Sequence, residues 1–119
     1  MPFDLIDPTK EQTFTTTGGA SFTYREATCD DVEEAMERAS DDLGRVDRKA
    51  LRRELITGHV TGWGGFRLDG EDFPYDPDEM TTLLGRLPFD IVRSLVERIE
   101  VVHREGVESG KGSDNGSGG

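Results

Sequence analysis

Carboxylates crowd residues 69–79: Asp69, Glu71, Asp72, Asp76, Asp78 and Glu79. Clustered hard oxygens are what a calcium ion takes. The spacing does not suit an EF-hand, which needs alternating acids, glycine at its sixth position and glutamate at its twelfth. Here Gly70 follows Asp69 directly, and Pro74 and Pro77 stiffen the wrong places. Turn formation and helix capping account for the acids better. His59 and His103 are the only histidines, each near a predicted helix end, where a cation complements the helix dipole. Cys29 is alone, so neither an internal disulfide nor a thiolate metal cage can form, which fits a reducing compartment. There is no Gly-x-Ser-x-Gly elbow, HExxH, GxGxxG or P-loop. The sequence therefore names no catalytic, cofactor-binding or metal-binding residue, and the expectation is a protein that is not an enzyme.

The other distinctive residues are aromatic. "VTGWGGFRLDGEDFPYD" sets Trp63, the sole tryptophan, among glycines and follows it with Phe66, Phe73 and Tyr75. Glycine neighbours let backbones pass closely while an indole plugs the gap, so the segment reads as a hinge between helices and Trp63 chiefly as a folding residue. Aromatic anchors in so polar a chain also suit a partner surface. Trp63, Phe66, Phe73 and Tyr75 are accordingly the candidate contacts, together with Ile91, Leu95 and Ile99 of the last predicted helix.

The elements that must position these residues follow from pattern. Thr- and aromatic-rich runs flank Gly18-Gly19, predicting a hairpin with a primed two-residue turn that carries Phe14, Phe22 and Tyr24 on its apolar face. Thr28 and Asp31 form a capping arrangement ahead of Val32, Ala35, Met36, Ala39 and Leu43, a first helix over 29–42 that Gly44 stops. Asp47 caps a second helix with Leu51, Leu55, Ile56 and Val60 on one side and Arg48, Lys49, Arg52 and Arg53 on the other. That arginine-rich side is the one basic patch of the sequence. The glycines from Gly58 to Gly65 end the helix. Asp69-Gly70 then turns a short hairpin. Asp76, Pro77 and Glu79 read as N-cap, first helical residue and capping-box acid of a short third helix. After Gly85 and Pro88, Ile91, Val92, Leu95, Val96, Ile99 and Val102 stripe a last helix. Arg93 with Glu97, and Glu100 with Arg104, decorate its wet side.

The expected fold is α+β: a small, mostly helical domain with an N-terminal β-hairpin, a short central hairpin and a disordered C-terminal tail. Its limits are an extension over 1–12, one globular domain over 13–106 and a flexible Gly/Ser-rich tail over 107–119. Apolar residues make up only 33% of the 119, yet they are gathered into periodic runs that can build a modest core. The net charge of -11 argues against binding a phosphate backbone, which needs a local excess of Lys and Arg. The start, "MPFDLIDPTKEQ", lacks the basic end and apolar run of a signal peptide, and no stretch is apolar for the length of a membrane span. A cytoplasmic location is expected.

From Leu55 to Pro88, "LITGHVTGWGGFRLDGEDFPYDPDEMTTLLGRLP" followed by an amphipathic helix resembles the tail assembly chaperones of long-tailed, siphovirus-type bacteriophages. Many of those carry a helix ending in a Gly-Trp-x-Gly type motif, then an Asp/Gly turn, a Pro-aromatic strand and an acid-capped helix with a Leu-Leu pair. Here these are Gly62, Trp63 and Gly65, then Asp69-Gly70, Pro74-Tyr75 and Leu83-Leu84. With "FTYREAT" and the arginine-rich helix, the resemblance covers residues 20–104. It implies a factor in the host cytoplasm that keeps the hydrophobic tape measure protein soluble while tail tube protein polymerises around it. It also implies a longer product, made by ribosomal frameshifting near Gly110-Lys111 and sharing residues up to about 110. Two other functions stand beside this one: a minor tail or head-tail joining protein retained in the virion, and an acidic inhibitor of a host DNA-binding enzyme.

Overall fold

Thr- and aromatic-rich segments with side chains alternating in and out favour strands, and β1 (Glu11–Thr15) and β2 (Ser21–Arg25) pair antiparallel with Phe14 opposite Phe22. The computed structural model describes residues 2–101. β1 takes in the last two residues of the expected N-terminal extension. The turn differs from expectation. Thr16 N–H donates to Ala20 O at 2.8 Å and Gly19 N–H to Thr16 O at 3.1 Å, leaving a three-residue loop in which only Gly19 has positive φ, +92°. This is a turn closed by a glycine bulge, and Gly19 is the residue it requires.

Thr28 caps α1 (Cys29–Arg38) through a complete capping box with Asp31. The helix stops earlier than its apolar spacing predicts because Asp41 competes for the backbone. Its carboxylate accepts the N–H groups of Leu43 and Arg45 and the Arg45 guanidinium, fixing a loop in which Gly44 has φ +80° and Leu43 is 76% exposed. Asp47 caps α2 (Arg48–His59), accepting from Lys49 and Ala50 N–H. The two helices run antiparallel: Asp47 N–H bonds Ala39 O, Arg38 pairs with Glu54 at 2.7 Å, and His59 at the end of α2 returns to Asp31 at the start of α1.

The largest departure follows. The glycine-rich segment is not a hinge; Val60–Gly64 form β3, which adds to β2 and makes a three-stranded antiparallel sheet of order β1-β2-β3. Val60 leaves the helix to become its first residue, and Gly58 stays within α2. Phe22 sits opposite Trp63, and a bulge shifts the register so that Tyr24 meets Val60. Thr61, the extra residue, donates its hydroxyl to Glu11 at 2.9 Å. β4 (Arg67–Leu68) and β5 (Glu71–Asp72) form the expected central hairpin with positive φ at both Asp69 and Gly70, the primed turn. Asp76 caps a 3-10 turn (Pro77–Glu79) that leads into α3 (Met80–Arg86), with Glu79 joined by its backbone N–H to Asp76 O rather than as a capping-box acid. α4 spans Phe89–Glu100.

One core joins sheet and helices. Phe22, Leu55, Ile56, Leu95 and Ile99 are its largest fully buried members. Each such side chain stabilises the fold by about 1.5–3 kcal/mol relative to exposure. Ile99 O, one of the orphan carbonyls at the end of α4, accepts the Ala27 N–H at 2.7 Å and ties the last helix to the exit of β2. The α+β class holds. The expectations for His103, Val102, Arg104, the end of the domain and the 107–119 tail with its frameshift lie outside the described residues. No described helix is long and apolar enough to cross a membrane.

Candidate interaction surfaces

Trp63 occupies the centre of an aromatic group built by three elements. Its indole N–H donates to Phe73 O at 3.0 Å, its ring stacks with Phe73 at 5.7 Å, and Tyr75 meets it edge-on at 4.8 Å. A buried indole needs such an acceptor, and the irregular segment that leaves β5 supplies it. Phe66 lies 5.1 Å from Phe22, whose other neighbour is Phe14 at 6.2 Å. Phe73 N–H bonds Phe66 O, so the hairpin closes on its own base. Gly65 makes the fit possible. Its φ is +80°, and an added Cβ would stand 3.0 Å from Ala20 Cα and Gly19 O. Arg86 holds the hairpin tip to α3 through Asp69 at 2.9 Å.

Burial divides the candidate contacts. Leu95 and Ile99 are 0% exposed and Trp63 is 8%, so these three pack the core and offer a partner no free area. The apolar stripe of α4 reads as a surface only while α2 and the shared core it packs into go unrecognised. Phe66, Phe73 and Ile91 are half-buried, and Tyr75 is exposed. Tyr75 with the edges of Phe66 and Phe73 is what remains of the expected patch.

The charged residues do structural work. Asp69 is paired, Asp76 caps, and among the described residues no group of three or more His, Cys, Asp or Glu side chains converges on one point. His59 donates from Nδ1 to Leu55 O at 2.8 Å, and its Nε2 faces Asp31 at 3.4 Å. The Thr28 N–H and, secondarily, His59 hold the Asp31 carboxyl below its ordinary range. Cys29 is exposed at the start of α1.

A second surface was not foreseen. Phe89, exposed at the start of α4, has the Arg52 guanidinium 5.0 Å over its ring. It separates an open groove of about 670 Å³ between α2 and α4 from a smaller one of about 170 Å³. At the far end of the larger groove, burial and the neighbouring Glu97 push the Glu100 carboxyl up, with Arg48 opposing. A sequence signal existed. Phe89, Arg93 and Glu100 follow helical spacing along the border of the apolar stripe, meeting it at Val96, beside the basic face of α2. No family model, curated protein or solved structure matches this chain.

Proposed function

We propose that this chain is a tail assembly chaperone of a long-tailed bacteriophage: a non-enzymatic protein of the host cytoplasm that binds the tape measure protein and keeps it soluble during tail tube assembly. One observation supports the reading above others. The residues that carry the resemblance, from Gly62 through Trp63 and Gly65 to the Asp69-Gly70 turn, Pro74-Tyr75 and the Leu83-Leu84 helix, join in a single packed unit with Tyr75 at its edge. The client contact is assigned to Tyr75 with the exposed edges of Phe66 and Phe73. An acidic body of net charge -11 keeps such a complex soluble by self-repulsion.

Apolar contact rather than exposed ion pairs would supply the affinity, so binding should survive moderate salt. Co-expression with the tape measure protein tests the reading directly: the client's soluble fraction should rise, and equal solubility with and without this chain would overturn it. Mass spectrometry of purified particles should find the protein absent; stoichiometric retention would make it a virion component instead.

A further inference from the structure

The cations of this acidic chain are unevenly used. Arg38, Arg45 and Arg86 are held in ion pairs with Glu54, Asp41 and Asp69. Among the described residues nine cations have no carboxylate at ion-pair distance, and five of these, Arg48, Lys49, Arg52, Arg53 and Arg93, lie on α2 and α4. All five line the two grooves that meet at Phe89. Arg48, Arg52 and Arg93 border the larger one, over the half-buried Leu51, with Leu55 and Val96 enclosed beneath it. Lys49, Arg52 and Arg53 border the smaller, over the half-buried Leu87 and Val92, with Ile56 and Leu84 enclosed beneath. Met36, 40% exposed, forms the outer lip, and Phe89, 58% exposed, the ridge between.

Shape and charge select the occupant. Arg48, Leu51, Arg52 and Leu55 follow i, i+3, i+4, i+7 spacing, and Phe89, Arg93, Val96 and Glu100 follow i, i+4, i+7, i+11. The walls are therefore two helix ridges, roughly 10 and 16 Å long at the helical rise, a cradle for two to three turns of a third helix. An apolar floor asks for an apolar stripe, and a rim of unpaired cations asks for carboxylates beside it. Phosphate backbones are poorly served, because the floor is greasy and the surrounding molecule carries -11. We propose that the paired grooves around Phe89 dock an acidic amphipathic helix of a partner protein, with its apolar stripe on Met36, Leu51 and Phe89 and its carboxylates toward Lys49, Arg52, Arg53 and Arg93. Glu97 and Glu100 close the other end and orient the acidic flank away from themselves. This surface is separate from the Trp63–Tyr75 cluster, and its chemistry holds whether or not the chain serves a tape measure protein.

The test uses the full chain and a fluorescein-labelled designed helix with leucines at i, i+3, i+4 and i+7 and glutamates on both flanks. A twin with lysines for the glutamates is the control, and anisotropy is the readout. The acidic helix should bind at least about tenfold more tightly than its twin. Lys49→Glu combined with Arg93→Glu, both at exposed positions, should weaken it about tenfold or more, as should Phe89→Ser, with thermal melts of both variants matching the parent. Equal binding of the two helices, no binding of either, or indifference to both variants overturns the proposal. So does displacement of the helix by a single-stranded oligonucleotide at comparable concentration, which would assign the grooves to nucleic acid. Concentration-dependent sedimentation of the protein alone, lost on Phe89→Ser, would assign them to a second copy.

Discussion

Trp63 and Phe89 are both large aromatics beside a helix end, and they stand in opposite situations. Trp63 is enclosed by Phe73 and Tyr75, its one polar atom is satisfied by a carbonyl, and, two residues on, Gly65 packs against the Gly19–Ala20 backbone with no room for a Cβ. Phe89 is covered on one face by a single guanidinium and otherwise open. Aromaticity alone does not mark a surface. What separates the two is whether the neighbouring elements complete the packing, and only the pairing of distant strands decides that.

The comparison breaks most sharply if Trp63 can be spared. Trp63→Ala should cost about 3 to 5 kcal/mol, enough to unfold a marginal domain, and urea melts coincident with the parent would place the indole outside the core. Gly65→Ala comes next. Forcing a side chain into the left-handed region costs on the order of 1–3 kcal/mol, and the 3.0 Å approach to the Ala20 backbone leaves little scope for relief, so a melting temperature within a degree of the parent would refute the tight seal.

These two expectations rest on β3, which the sequence hid. Gly62 and Gly64 are poor strand formers, and their conformation comes from hydrogen bonding to β2 across nearly forty residues of chain, beyond any local pattern. The parts with local causes were readable: the Thr28–Asp31 box, the Asp47 cap and the Asp69-Gly70 turn each lie within one span of neighbouring residues. The end of α1 was misjudged because Ala39 and Leu43 keep helical spacing while Asp41, a residue that favours turns, takes the N–H groups. Of the candidate contacts, Leu95 and Ile99 are recognisable as apolar and helical, but not as the side buried in the core. The arginine side of α2 was legible as a patch. That Phe89 stands at its edge was not.

A smaller effect sharpens the contrast through pH. Asp31 has its folded-state pKa lowered, so its contribution is present above the ordinary carboxylate value and is lost as pH falls through the lowered one, below about pH 4. Glu100 has its pKa raised, so its ionisation opposes folding above that value, and protonation on going from neutral pH toward pH 4 relieves the cost. Asp31→Asn should therefore lower stability at pH 7, and Glu100→Gln should raise it slightly, each difference shrinking as the carboxyl protonates. Urea melts at pH 7, 4 and about 2 check both signs, the Glu100→Gln difference shrinking by pH 4 and the Asp31→Asn difference only below it. The smallest change is expected at the open aromatic: Phe89→Ser should alter stability by no more than about 0.5 kcal/mol, since it removes little buried area. A loss above about 2 kcal/mol would make Phe89 a second Trp63.

His59 ends α2 and Val60 begins β3, with no residue between them. A helix welded to a strand behaves as a lever: α2 cannot tilt without pulling β3 along β2, and the Thr61 bulge is the point where that pull would be felt first. The groove on one side of α2 and the sheet at its end are thus mechanically one part. Amide exchange of Thr61 to Gly64 should slow when the groove is filled, although the nearest of those amides belongs to another layer of the molecule; unchanged exchange would show that the joint bends.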